Sequence, residues 1–370
     1  MIDSVRAAYL FLSLLQAKTG SSIMSRLGDF EPQDVMGMTA TELSTRVRMT
    51  DRASRIFAGL KEQFDAEETN KKLGRRGIRF VTPLDPEYPE RLSNIPDPPP
   101  ALYVQGDLPE GPSVALVGSR KASPTGLDAA RKIGQALCER GVCVVSGLAL
   151  GIDAAAHQGA LAGGGPTLGV LGCGIDMVYP KTNRGLFDLV RHSGGILSEY
   201  YLGEVPLPWR FPARNRIIAG LVDVLVVVEA AEKSGALITA RHALESGRDV
   251  WSVPGPPGPA ECRGSNKLLS DGAGVLWDIP EFLEEVAPST YSSSQAPDVN
   301  DRPGSPVPDE LPQDEARVLV AIGFEPTPVD AVAGRSGVEM SELLSALALL
   351  ELKGYVTRDA AGAFLRRPAS

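Results

Sequence analysis

The stretch Val114–Gly126, VALVGSRKASPTG, decides how the rest of the chain is read: an apolar run breaks at Gly118-Ser119-Arg120 and a helix restarts a few residues on. Val114, Ala115, Leu116 and Val117 predict a buried parallel strand, because strands covered on both faces are continuously apolar. Ser123 is suited to cap the next helix and Pro124 to open it, where a missing amide proton is harmless. The intervening loop then falls at the carboxyl end of a strand, where open α/β sheets bind ligands. Gly118 permits close backbone approach, Ser119 offers a hydroxyl, and Arg120 supplies a charged fork matched to phosphate. A Gly-Ser loop can equally be a tight turn with a solvated arginine, so the neighbouring segments decide.

Outward from this loop, strand and helix alternate as in a doubly wound sheet. Apolar strands are predicted at Val114–Val117, Val142–Val145, Thr167–Leu171, Gly195–Leu197, Val222–Val228 and Val250–Val253. Helices are predicted at Pro124–Arg140, Ile152–Ala162, Thr182–Arg191, Asn215–Gly220 and Ala236–Ser246. In a parallel sheet three more loops converge on the first. One begins Ser146-Gly147 and ends at Asp153. A second is Phe211-Pro212-Ala213-Arg214-Asn215-Arg216, preceded by Trp209 and Arg210. The third, Lys233-Ser234-Gly235, opens a helix whose free amides face an anion. Arginine interleaved with Trp and Phe suits a single strand, with charge for phosphates and faces for stacking. Core packing is the competing reading for Trp209 and Phe211.

The flanks differ from this centre. Residues 1–72 have apolar positions at helical spacing and no strand-like alternation, which predicts a small helical accessory domain. From Leu73 to Leu108 the prolines, including Pro98-Pro99-Pro100, disfavour helix and predict an extended lead-in to a domain covering 73–286. Residues 287–313 are rich in Pro, Ser and Asp and read as a flexible linker. In 314–370, three helices and a hairpin turning at Asp359 to Gly362 follow the order of a winged helix. Its third helix carries Glu339, Glu342 and Glu351 against Lys353, and carboxylates in a major groove oppose phosphate. A protein-contact role is expected for this tail.

Composition excludes several classes. The 370 residues are 43% hydrophobic, enough for two or three domains. No apolar run reaches the roughly 18 residues of a membrane span, and the amphipathic start does not resemble a signal peptide, so a cytoplasmic protein is expected. Cys138, Cys143, Cys173 and Cys262 form no CxxC pair, and His157, His192 and His242 lack ligand spacing, so neither metal nor disulfide is expected. A net charge of −9 argues against non-specific duplex coating but leaves room for a local basic groove.

VGSRKASPTG, SGLALGIDAAAH, YPKTN, FPARNRIIAG, EAAEKSGALITA and WSVPG occur in the order and approximate spacing of the DNA-processing protein A family (DprA, also called Smf), which the chain resembles over Val114–Gly255. YPERLSNIPDPPPALYVQG resembles the family's lead-in, and the flanks resemble its three-part layout. The resemblance implies an α/β fold: an extended Rossmann-like parallel sheet with an N-terminal helical (SAM-like) domain and a C-terminal winged-helix-like domain. It implies binding of single-stranded DNA, loading of RecA recombinase during natural transformation, and a homodimer formed through the Rossmann-like domain. The phosphate site it implies comprises Gly118, Ser119, Arg120, Arg214, Asn215, Arg216, Lys233, Ser234 and Gly235. Ser146, Gly147, Trp209, Arg210 and Phe211 join it from the loop reading above. Thr125 stands where the family often has tyrosine, and Tyr200-Tyr201-Leu202 where a proline is usual.

Rival readings fare less well. GSRKASPTG fails the GxGxxG fingerprint, and Ser146-Gly147 stands where a dinucleotide fold needs an acid for the ribose. Lys181-Thr182 lacks the glycines of a P-loop. The serious alternative is a nucleoside-monophosphate hydrolase on a related sheet, but Gly163-Gly164-Gly165-Pro166-Thr167 lacks the glutamate of the PGGxGTxxE motif. Asp153 and Glu229 have plain structural roles as cap and strand-end acceptor, and no paired carboxylates or activated nucleophile stand out. The expectation is a binding protein without enzymatic activity or cofactor.

Overall fold

The structure, a computed structural model, describes residues 2–20, 23–28, 30–287, 312–322, 327–353, 355–358 and 363–366. Nearly all of the expected linker, and the hairpin turn at 359–362, lie outside the described residues. The chain divides into two compact units, residues 1–292 and 293–370. Among the described residues no helix is long and apolar enough to cross a membrane.

The first unit opens with six helices: α1 (Ser4–Thr19), α2 (Met24–Leu27), α3 (Asp34–Gly37), α4 (Ala40–Val47), α5 (Asp51–Gln63) and α6 (Ala66–Gly74). Asp3, Thr39, Thr50 and Asp65 each accept an amide from the first turn of the helix they precede, which sets where α1, α4, α5 and α6 begin. The helix α1 is buried nearly all round. Phe11, Leu12 and Leu15 pack with Leu43 and Phe57. Tyr9 and Leu10 join Phe80, Tyr103 and Ile196 of the sheet. One helix thus serves two cores, as a helix apolar on every side must.

Next come β1 (Arg79–Val81), α7 (Glu90–Ser93), β2 (Leu102–Gly106), β3 (Ser113–Val117), α8 (Pro124–Glu139), β4 (Cys143–Ser146), α9 (Ile152–Ala162), β5 (Thr167–Leu171), α10 (Arg184–Ser193), β6 (Gly195–Ser198) and α11 (Arg210–Gly220). The unit finishes with β7 (Val224–Val227), α12 (Gly235–Glu245), β8 (Asp249–Ser252), α13 (Arg263–Ser270), β9 (Gly274–Val275) and α14 (Ile279–Val286). The nine-stranded sheet has the order β1-β2-β6-β5-β4-β3-β7-β8-β9. Strands β1 and β2 are antiparallel, and the rest are parallel to one another. This sharpens the reading of the lead-in and leaves the Rossmann-like, mostly parallel sheet as expected. The proline-rich lead-in is not merely an extended arm: Leu102–Gly106 and Arg79–Val81 extend the sheet beyond β6, and Glu90–Ser93 makes a helical turn. The sheet is therefore mixed at one edge.

From β3 the chain winds one way through β4, β5 and β6, then returns to β7 on the other side of β3. That reversal is the switch point where doubly wound sheets bind ligands. Alternate residues of the central strands feed opposite cores: Val114, Leu116 and Val144 face α8 and α9. Ala115, Val117 and Val145 face the side of α11 and α12.

In the second unit α15 (Gln313–Ala321), α16 (Val329–Ser336) and α17 (Met340–Leu352) precede the hairpin β10 (Val356–Arg358) and β11 (Phe364–Arg366). Val318, Val332, Leu343, Leu347, Leu350 and Phe364 form its core. This is the helix-helix-helix-hairpin order of a winged helix. Lys353, the lone cation near the end of α17, pairs with Glu315 at 2.6 Å, while Met340, Leu344 and Leu349 are exposed.

Candidate nucleic-acid interface

The loop after β3 is held from both sides. The Ser119 amide donates to the Glu229 carbonyl at 2.7 Å, and the Ile152 amide donates to the Ser119 carbonyl at 3.1 Å. Gly151, at φ 77°, has no room for a side chain, since a Cβ there meets Arg120 Cα at 2.9 Å. The loops after β3 and β4 are therefore one packed body.

The Glu229 carboxylate, which is buried, takes an unexpected place. It accepts from the Ser123 amide at 2.9 Å and from the Ser123 hydroxyl at 2.5 Å, at the start of α8. Ser123 in turn accepts the Gly126 amide at 3.0 Å. A dinucleotide-binding sheet puts pyrophosphate at this helix N-terminus. Here the protein's own carboxylate fills it.

Arg120 instead points to the rim, exposed, with its guanidinium 5.5 Å from the centre of the Phe211 ring. Phe211 also packs on Tyr179, ring centres 5.2 Å apart and planes inclined by 36°. Tyr179 is 43% exposed. Beyond it Lys181 and Arg184 are exposed, and the Asn183 side chain ties this segment to the carbonyls of Leu148 and Ala149 at 3.2 and 3.3 Å. Tyr179, Lys181 and Arg184 were not singled out from the sequence. Their signal was YPKTNR, residues 179–184, an aromatic beside cations in the segment that leads from β5 into α10.

The FPARNR segment is not a loop. It forms the first turns of α11, which begins at Arg210, because a proline within the first turn of a helix removes no bond the helix needs. Its arginines are consequently internal. Arg214 is 3% exposed and donates to the carbonyls of Gly147, at 3.0 Å, and Val170. Arg216 is 8% exposed and clamps Glu199 at 2.9 and 2.7 Å, with Asp97 at 3.1 Å. Arg210, 2% exposed, donates to Glu204 at 2.6 Å and to the Ala17 carbonyl of α1 at 2.9 Å. Trp209 packs over Gly20 and against Tyr200, joining the same α1 junction. Two positions separate it from Phe211, which puts the two rings on different sides of the helix. Ser146 and Gly147 are buried as well: the Ser146 hydroxyl donates to the Leu116 carbonyl at 2.6 Å, and a Cβ on Gly147 meets the Arg214 guanidinium at 2.5 Å. The expected arginine-rich loop thus becomes a buried frame.

Burial lowers the pKa of Arg214, an effect that Asp153 opposes, and burial raises that of Asp153, an effect that Arg214 opposes. Asp153 also accepts from the Gly147 amide at 3.2 Å. The two groups form a positioning pair beneath the rim. Asn215 completes the ring of loops, receiving Arg214 Nε at 3.3 Å and donating to the Gly235 carbonyl at 3.4 Å. Lys233 and Gly235 are exposed, Ser234 caps α12, and Gly118 and Ser119 are half-buried. Gly118, Ser119, Arg120, Phe211, Asn215, Lys233, Ser234 and Gly235 are thus linked around one rim. Among the described residues no ion pair engages Arg120, Lys181, Arg184 or Lys233, whereas Arg210 and Arg216 are paired. No group of three His, Cys, Asp or Glu able to hold a metal occurs among the described residues.

The comparisons with known proteins agree with this architecture. Residues 79–287 match the model of the DNA recombination-mediator protein A family, and residues 302–362 that of the DprA winged helix domain. Protein Smf of Synechocystis is 37% identical over 323 residues, 79% of this chain and 81% of its own. The X-ray structure of DNA processing protein A from Streptococcus pneumoniae superposes with a TM-score of 0.65 at 35% identity, covering 77% of this chain and 98% of that one. A structure of the Helicobacter pylori protein, described for its single-stranded DNA binding mode, gives a TM-score of 0.51 at 30% identity over 56% of this chain and 95% of its own. The switch-point rim, the mixed nine-stranded sheet and the winged helix thus sit in a chain that belongs to the DprA/Smf family of DNA-processing proteins.

Proposed function

We propose that this protein binds single-stranded DNA along the rim of the parallel strands and delivers it to RecA recombinase during natural transformation. One observation carries the reading: Arg120, Phe211 and Tyr179 form a continuous cation-and-ring platform, 5.5 and 5.2 Å from step to step, bordered by exposed cations without ion-pair partners among the described residues. Phosphates need such charges and unstacked bases need such faces, and both are sequence-tolerant. The single-stranded DNA binding described for the Helicobacter pylori relative supports the same class of ligand. Gly118, Ser119, Asn215, Ser234 and Gly235 contribute backbone and polar contacts, Lys233 a further phosphate contact, and Arg214 holds the rim from beneath. Glu229 and Asp153 are both occupied by hydrogen bonds within the protein, so the reading assigns no bond-breaking step and no cofactor.

The protein acts in the cytoplasm as a homodimer, with β9 as the pairing edge. No strand lies beyond β9 among the described residues, and Val275 and Trp277 beside it are 46% and 67% exposed. Trp277→Glu should convert the sedimenting species from dimer to monomer. The delivery step is tested by the lag before RecA hydrolyses ATP on single strands precoated with single-strand-binding protein. Wild-type protein should shorten that lag and Arg120→Ala should not; an unchanged lag with wild type contradicts the reading.

A further inference from the structure

A second basic surface lies where the helical segment meets the sheet. A cleft of about 430 Å³ is lined by Lys72, Arg75 and Arg76 at the end of α6, by Asp176 from the segment after β5, and by Tyr201. The three cationic side chains are 54%, 69% and 55% exposed. Their carboxylate neighbours are Glu68, at 4.0 Å from Lys72 and 3.8 Å from Arg75, and Asp176, at 3.2 Å from Arg76. Three cations against two carboxylates leave the cleft positive, in a chain of net charge −9. The two contacts to Glu68 are too long for hydrogen bonds, Arg76 donates to Asp176, and all three pairs are exposed, so each is weak and exchanges readily for another anion. Arg75 caps α6 through its backbone amide, which donates to the Leu73 and Lys71 carbonyls, so the guanidinium groups of Arg75 and Arg76 are not needed to close the helix.

The cleft is tied to the first site by one stretch of backbone. A Cβ on Gly172 would lie 2.8 Å from Phe211, and Tyr179 packs against the same ring. Between them Cys173 and Ile175 are buried, and Asp176 accepts from the Gly203 amide at 2.8 Å, which fixes the wall of the cleft. Asp176 lies three residues before Tyr179, a span of at most about 11 Å of chain. At about 3.4 Å per charge along a stacked strand, that is a few phosphates.

We propose that the single strand does not stop at Tyr179 but continues over the 172–179 segment into this cleft, where Lys72, Arg75 and Arg76 hold its phosphodiester backbone. This extension rests on the reading of the rim given above. It gives the N-terminal helices a role as the far wall of the DNA track.

The test is fluorescence anisotropy on the full chain with labelled oligothymidylates of about 6 and about 24 nucleotides, bracketing a single-module footprint. Lys72→Ala/Arg75→Ala/Arg76→Ala, and separately Arg75→Glu, should weaken the long oligonucleotide about tenfold or more and leave the short one within about twofold; for the triple variant the salt slope on the long strand should fall by about 2, at roughly 0.7 per phosphate contact. Long-strand affinity at the wild-type level, or an equal loss at both lengths, overturns the proposal. Arg120→Ala, run alongside, should weaken both lengths; wild-type binding by that variant contradicts the rim itself rather than the extension.

Discussion

Glu229 shows how one side chain changes what a fold can hold. By donating to this carboxylate, the Ser123 amide and hydroxyl are already satisfied, so the helix start that receives pyrophosphate in dinucleotide enzymes is closed to it. The charge that remains available is outside, on Arg120 and Lys233. Arg120→Ala and Lys233→Ala should each reduce the salt slope of single-strand binding by about 0.7 and weaken binding evenly across base sequences, because phosphate contacts release counterions without reading bases. Unchanged slopes in both would remove the rim from the account. His157, buried on α9, donates through Nδ1 to Thr167 Oγ1 at 2.8 Å, since that hydroxyl donates onward to the Val144 carbonyl. Burial, reinforced by Arg214, pushes its pKa from 6.5 down to about 3. Unfolded chains take up the proton near the ordinary value and folded ones do not, so this group's contribution to stability is intact above pH 6.5 and is lost as pH falls toward 3. The slope approaches about 1.4 kcal/mol per pH unit. Thermal melts between about pH 7 and about pH 5 should show wild type losing stability faster than His157→Asn, and parallel curves would show that folding does not depress the pKa of this imidazole.

At the scale of elements, the packed pair of loops after β3 and β4 positions the rim. Gly151→Ala strains a left-handed backbone and presses a methyl against Arg120, so it should destabilise the fold by about 1–3 kcal/mol and weaken single-strand binding more than that loss of folded protein explains. Wild-type affinity in the remaining folded fraction would mean that the β4 loop does not set the position of Arg120. The central strands and helices were legible because buried parallel strands are continuously apolar: Thr167–Leu171 and Ile152–Ala162 appear in the structure with the bounds read from sequence. The strands β1 and β2 were not, since short strands among prolines carry no such run. FPARNR was misread for a related reason. Its proline suggested a loop, yet at the third position of α11 it is compatible with helix, and the three arginines then turn inward to carbonyls and carboxylates that no local pattern announces. Tyr179 went unnoticed because its partner, Phe211, is distant in sequence and near only in the fold.

At the scale of the molecule, the two units should separate functionally. A chain ending at residue 292 keeps the rim and the basic cleft. It should bind single strands within about threefold of the full chain, because the exposed face of α17 offers Met340, Leu344 and carboxylates rather than cations. Complete loss of binding would assign DNA contact to the winged helix. Removing the N-terminal helices should behave differently. Tyr9 and Leu10 of α1 cover Phe80, Tyr103 and Ile196, and Arg210 reaches into the end of α1, so a chain starting at residue 79 exposes an apolar sheet face and an unpaired junction. The central claim is that separated loops at one sheet rim hold single-stranded phosphates and bases without breaking a bond. Its most direct test is a titration of one sequence as single strand and as duplex, with no nucleotide added, followed by recovery of the DNA. The single strand should bind at least about tenfold tighter than the duplex, lose that binding with Arg120→Ala, and be recovered uncut; equal affinity for duplex, binding indifferent to Arg120, or a cleaved strand would contradict the account.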